Sequence, residues 1–370
     1  MSFKQFALCD ALKNRRFLCQ DVEQSQQSAL TLINKKTFDW EITLADNLLF
    51  DLAGLNVIVA LISSYKGNAH QLEFKLQLSD AAIRDYYSHS QYLGTDGLIS
   101  LPIKAFRKGA ANTDLIDILL PTIDELSTKI DYPLALTEAD INSTPLGLLM
   151  PYSCEHDCLF ANQIGIFSSL NRQIKRSPMS WLQGVFSRRK IKTKQRISLA
   201  WNHIHKTADI HPTAVIEGSV IGEGCRVGAH CVVRFSVLGE HVQLHDGAKV
   251  EYSCVDDHSW LMHDLVLYRS LVESHVFLIH GPYQFSYFQK QSGAFASIMM
   301  DYRSDNKPIR IGTEQGVKDY KGRFLGALLK ERSKVFGGTL TTPGITIPVG
   351  KEITVDAKSV TKAKDLQSLS

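Results

Sequence analysis

The first fifty residues of this 370-residue chain contain no glycine, and the earliest is Gly54. A loop that holds nucleotide phosphates through backbone N–H groups needs glycines. Nucleotidyl transfer by an amino-terminal loop of that kind is therefore excluded. No run approaches the ~18 consecutive apolar residues of a membrane span. Met1 to Arg16 scatters its charges and has no apolar stretch before a small-residue cleavage site, so no secretion signal is expected. The formal net charge is +3, too small to point to nucleic acid or a membrane as partner. The seven cysteines are an odd number without framework spacing. A reduced, cytoplasmic compartment is the expectation.

What is present is a period. From Ile204 to Leu278 an aliphatic pattern returns every seventeen residues, in steps of six, six and five. One column reads Ile204, Ile221, Leu238, Val255, Val272; the second reads Ile210, Val227, Leu244, Leu261, Leu278; the third reads Ile216, Val233, Val250, Leu267. Three short strands per turn of a coil would stack these columns into one core, the mark of a parallel β-helix. A helix needs apolar positions at three- and four-residue spacing, which this stretch does not sustain. The period fixes three-strand coils but not their hand.

The expected organisation has four parts. Residues 1–171 mix helix and strand patterns and form an α/β domain. In it, Leu55 to Ser63 reads as a buried strand, Leu72 to Leu78 as a half-exposed strand, and Thr113 to Lys129 as a helix interrupted by Pro121. Cys158 to Ile174 has helical apolar spacing. Residues 172–199 are a basic linker with a short helix around Trp181 to Phe186; its charges read first as solvated surface, then as a site for acidic partners, membrane or cofactor phosphates. Residues 200–355 are the β-helix, with a long loop insertion at 279–328 that is rich in aromatics. Long loops in compact domains are usually functional. The six-residue step resumes at Leu329, Val335, Thr341, Ile347 and Ile353, and 356–370 is a flexible tail.

Ile-Gly-Glu-Gly-Cys-Arg at 221–226 and Val-Gly-Ala-His-Cys-Val at 227–232 resemble the hexapeptide repeat of left-handed β-helix proteins. That resemblance implies a left-handed coil, a homotrimer, and acyl transfer from a coenzyme thioester between subunits. A second set of motifs runs from His280-Gly281-Pro282-Tyr283 through Gly293-Ala294 and Asp301 to Arg310. It continues with Gly322-Arg323-Phe324-Leu325-Gly326-Ala327 and Pro343-Gly344. In this order it is similar to the acetyltransferase half of bifunctional sugar-1-phosphate nucleotidylyltransferase/amino-sugar acetyltransferases, particularly the archaeal type. His280, Tyr283 and Lys307 match that family's histidine, tyrosine and first lysine. Asp301 stands where it has asparagine, and Arg310 where it has the second lysine. Gly293, Arg310 and Arg323 fall in the segments expected to bind substrate or cofactor. Residues 151–170 resemble the helix that enters the β-helix in nucleotidylyltransferases, which would make 1–171 a degenerate relative of that domain.

The implied activity is an acyltransferase using acetyl-CoA as co-substrate, acting on an amino group of a sugar nucleotide or related small molecule. The alternative is a non-catalytic trimeric scaffold or regulatory protein that keeps the shape. Acyl transfer needs a base for the acceptor's proton and donors for the oxyanion. A histidine with an unperturbed pKa of ~6.5 exchanges protons near neutrality, so His280 is the expected base, with His258 and His263 as rivals on neighbouring coils. Its plain alternative is a surface histidine. Tyr283 would position substrate, Asp301 orient the amine or the histidine, and Lys307 and Arg310 hold phosphate or the thioester oxygen. Each has a plain alternative as packed aromatic, turn carboxylate or exposed charge. Cys154-Glu155-His156-Asp157-Cys158 offers metal-ligand types, but structural zinc commonly takes two separated pairs and no second cluster follows. The expectation is ordinary thiols and no metal. Cys225, Cys231 and Cys254 read as inward-pointing core thiols.

Overall fold

A computed structural model of the chain describes residues 2–3, 16–17, 20–33, 40–77, 86–108, 114–120, 148–176, 202–313 and 316–355. The basic linker beyond Arg176, its expected short helix and the tail lie outside the described residues. Two compact units form: Met1–Trp201 with Pro308–Arg323, and Asn202–Lys307 with Phe324–Ser370. No helix among the described residues is long and apolar enough to cross a membrane.

The second unit is a parallel β-solenoid. Its first face is an eight-stranded sheet from His203–Ile204 to Thr346–Ile347, and its second an eight-stranded sheet from Asp209–Ile210 to Glu352–Ile353. The third face holds five paired strands, Val215–Glu217 to Tyr283–Gln284, then two more, Ile298–Met299 and Leu340–Thr341. Each expected column is a register ladder: Ile204 pairs with Ile221, Val227 with Leu244, Val233 with Val250. The interior columns are buried almost throughout. Cys225 and Cys231 share that core, and their thiols donate to the carbonyls of Gly239 and His245 at 2.9 and 3.0 Å. Cys254 is buried too.

The expected loop insertion at 279–328 is corrected. The coil continues past Ile279, but one turn is a residue shorter, since Leu267 pairs with Tyr283, sixteen residues on. The aliphatic columns also change residue type. Val272 faces Phe288 and Leu278 faces Ala294 in register. The rings of Tyr283 and Phe288 meet edge-on at 5.5 Å, and the small Ala294 gives room for them, as close packing requires. The true excursion lies between Met299 and Leu328, and its centre, Pro308–Arg323, belongs to the other unit.

That other unit has a five-stranded sheet in the order Ser2–Phe3, Trp40–Leu44, Ile99–Arg107, Gln71–Leu76, Leu115–Leu120. Its described helices are α1 (Val22–Ile33), α2 (Leu52–Ser64) and α3 (His156–Arg176). Gln71–Leu76 alternates burial as expected. Two expectations are overturned. Leu55 to Ser63 is helix, not strand. Asp51 caps it by accepting from the Gly54 N–H at 2.7 Å, and Leu55, Ile58, Val59 and Ile62 are buried at helical spacing. Leu115–Leu120 is a strand, not helix, pairing in parallel from Gln71↔Leu115 to Leu76↔Leu120. Ladder bonds override the helical spacing of its apolar residues; the rest of that expected helix lies outside the described residues. The first glycine also has a structural task. A Cβ on Gly54 would stand 2.3 Å from the Leu148 carbonyl oxygen, so a side chain there would force two segments apart.

Candidate functional site

The solenoid turns its corners with residues in the left-handed backbone region, which histidine tolerates better than most side chains. His230, His241, His258, His275 and His280 adopt that region, and with His245 and His263 the corner histidines form two separate rows. His241, His258 and His275 line the corner between the first and second faces, with φ of 55, 57 and 59°. The His241 and His258 rings stack at 5.1 Å, and the His258 and His275 rings meet at a tilt at 5.0 Å. His230, His245, His263 and His280 line the corner between the second and third faces. There His245 meets His263 edge-on at 4.9 Å. The pairing of Leu261 with Leu278 sets His263 and His280 one coil apart in register. His263 therefore shares a corner with His280, whereas His258 belongs to the other row.

His280 is exposed, with φ of 57°, directly before the Gly281–Pro282 bond, which is cis. Its expected companions are elsewhere. Tyr283 is 0% exposed, packed in the core, and its hydroxyl donates to the Ile279 carbonyl at 2.9 Å. It fills the third column and is corrected from a site residue to a core residue. Gly293 is buried on the second face. A Cβ there would come 2.9 Å from the Phe295 ring and 3.2 Å from the Phe277 carbonyl oxygen, so its lack of a side chain serves packing. Asp301 follows the third face, at the corner opposite His280, and burial pushes its carboxyl above the usual range. Its main-chain oxygen accepts from Leu325 N–H at 2.7 Å. Lys307 is exposed, 4.0 Å from Asp305. Arg310 and Arg323 are exposed and belong to the other unit. Among the described residues no hydrogen bond or ion pair joins His280 to Tyr283, Asp301 or Lys307.

Two features were missed in the sequence. Ser219, Ser236, Ser253, Ser270 and Ser286 form a buried ladder at the third corner, and each of the first four hydroxyls accepts from the next serine's N–H at 3.0–3.1 Å. Their spacing was visible as a column of its own. The other is His89, which lies beside Cys154 and Asp157; nothing in the spacing of 154–158 points to a residue so far upstream. Burial first and the Asp157 charge second hold the Cys154 thiol well above the usual range.

No protein-family model matches the sequence, and no curated protein matches it. Among solved structures the chain is similar to a Bacillus cereus protein whose assignment as an acetyltransferase is provisional. Identity there is 16%, with 45% of this chain and 87% of that chain covered and a TM-score of 0.22. It is also similar to a perosamine N-acetyltransferase from Caulobacter crescentus (15% identity, 26% and 52% covered, TM-score 0.17). A third is the acetyltransferase domain of PglB from Neisseria gonorrhoeae (17% identity, 42% and 55% covered, TM-score 0.13). The match spans about half of each of the last two chains. Likeness at these scores carries no weight for substrate or mechanism.

Proposed function

We propose that the solenoid is a left-handed, trimeric acyltransferase that uses acetyl-CoA to acylate an amino group on a sugar nucleotide or a related small molecule. One observation carries the reading: a solvent-exposed His280 held at a solenoid corner, one coil from His263, where the repeat shortens. In the proposed step the imidazole takes a proton from the amine as its nitrogen bonds to the thioester carbonyl carbon. The tetrahedral intermediate then expels the coenzyme thiolate, which recovers that proton. Asp301 and Lys307 come into play only if another copy of the chain brings them near His280. An exposed apolar pair on the third face supports such packing: the register partners Ile298 and Leu340 are 65% and 63% exposed. Isolated surface apolar residues are ordinary, but contiguous ones mark contacts.

A second reading has its own support. Tyr283 and Gly293 are spent on packing, and Asp301 sits across the face from His280. A non-catalytic scaffold would look the same. Calorimetric titration of the full chain with acetyl-CoA separates the two. Binding that competes with free coenzyme A, together with a light-scattering mass of three chains, supports the enzyme; no heat at millimolar ligand supports the scaffold. With turnover in hand, His280→Ala should lower kcat by ~10²–10⁴-fold, the range for a positioned acid–base group. His258→Ala, on the other corner, should leave it unchanged. Loss of turnover in His263→Ala alone would move the base one coil back.

A further inference from the structure

Outside the solenoid, the start of α3 gathers a second set of reactive side chains. One oxygen of Asp157 accepts the N–H groups of Ser153 and Cys154 at 2.6 and 2.9 Å. The other meets His89 Nε2 at 2.8 Å. Cys154 completes the set. Its sulfur, a His89 ring nitrogen and an Asp157 carboxylate oxygen all lie within 4.8 Å of one another, and all three residues are buried. Phe160 and Tyr320 hold the His89 ring at centroid distances of 5.8 and 6.3 Å. Three donors from two distant segments thus converge on one point inside the unit.

The hydrogen bonds account for the carboxylate and for His89 Nε2, while His89 Nδ1 is buried without a partner and the Cys154 sulfur takes only main-chain hydrogen bonds from His156 and Asp157. Thiolate, imidazole and carboxylate are together the donor set of zinc. One thiolate and one carboxylate also cancel the charge of a divalent ion, which a buried site requires, since an uncompensated buried charge is costly. The geometry points to a zinc-type site formed by His89, Cys154 and Asp157, clamping the 86–90 turn to the start of α3. On binding, the thiol releases its proton to solvent and His89 carries its own on Nδ1. The bond between His89 and Asp157 gives way to separate bonds from each to the ion, of about 2.0–2.2 Å. A tetrahedral ion needs one donor more, from solvent or a neighbouring side chain. The site is independent of the acyltransferase reading.

Cobalt(II) titrated into the full-length chain, freed of metal with a chelator, tests the site. A near-ultraviolet thiolate-to-cobalt band with tetrahedral visible bands is expected, saturating at a single cobalt per chain and displaced by zinc. The bands should vanish in Cys154→Ser and His89→Gln and persist in Cys231→Ser, whose thiol lies in the solenoid core. Zinc should raise the thermal midpoint of the wild type and not that of Cys154→Ser. Wild-type protein without a thiolate band overturns the site, and that measurement needs no variant to fold. So does a full-strength band in Cys154→Ser that circular dichroism shows to be folded.

Discussion

Asp305 sits beside Arg303, whose Nε–H donates to its carboxylate at 2.8 Å, and the Lys307 N–H adds a weaker bond at 3.3 Å. The Arg303 hydrogen bond, ahead of any other cause, holds the Asp305 carboxyl at about 2, below the ordinary 3.8. A depressed carboxyl contributes stability above its unfolded pKa and loses it as pH falls through the folded one. The window is therefore 3.8 down to about 2. A carboxyl-carbon NMR titration should give a midpoint near that lower value, and Arg303→Ala should return it to the ordinary range. An unshifted midpoint in the wild type would dismiss the pair. Tyr283 makes a different point at this scale. His-x-x-Tyr was legible as a motif, but the direction of the tyrosine was not, because a column position admits an aromatic when a neighbour such as Ala294 gives up volume. Tyr283→Phe removes only the hydroxyl bonded to Ile279. It should cost about 1 kcal/mol in denaturant unfolding and leave any acyl transfer unchanged. A large loss of turnover would restore Tyr283 to the site.

At the scale of the element, the solenoid was the most legible part, because each coil repeats the same burial at the same spacing. Legibility ended at Ile279, where a single missing residue shifted the frame and tyrosine, phenylalanine and alanine replaced the aliphatic residues. The serine ladder follows the same frame but was invisible to a search for apolar residues. It has an energetic reason. Ser253 Oγ accepts the Ser270 N–H at 3.0 Å and donates to the Glu251 carbonyl at 2.8 Å. Ser253→Ala leaves a buried N–H without its acceptor, at a cost of about 1–3 kcal/mol. Hydrogen exchange should show faster opening centred on Ser270. Unchanged protection there would mean that water replaces the hydroxyl.

At the scale of the whole molecule, sequence periodicity could not show that the excursion between Met299 and Leu328 returns part of itself to another unit, because that depends on contacts far apart in the chain. Ile309–Thr313 and Gly316–Tyr320 pair as an antiparallel hairpin. Tyr320 stacks on Phe160 at 5.3 Å, and Phe160 stacks on Tyr86 at 4.8 Å. The Lys321 N–H donates to Ser88 Oγ at 2.9 Å. A segment read as a site loop is therefore core of Met1–Trp201, and the motif residues Arg310 and Arg323 go with it. Tyr320 is nearly fully buried, so Tyr320→Ala removes a core ring and should cost about 3–5 kcal/mol. The loss should fall on one unit. Amide protection along α3 from Asp157 to Ile166 should drop, while the solenoid from Val233 to Leu278, whose ladder bonds are its own, should keep its protection. Equal loss in both would mean that the units unfold as one, and no loss in α3 would mean that the hairpin does not hold the core it packs into.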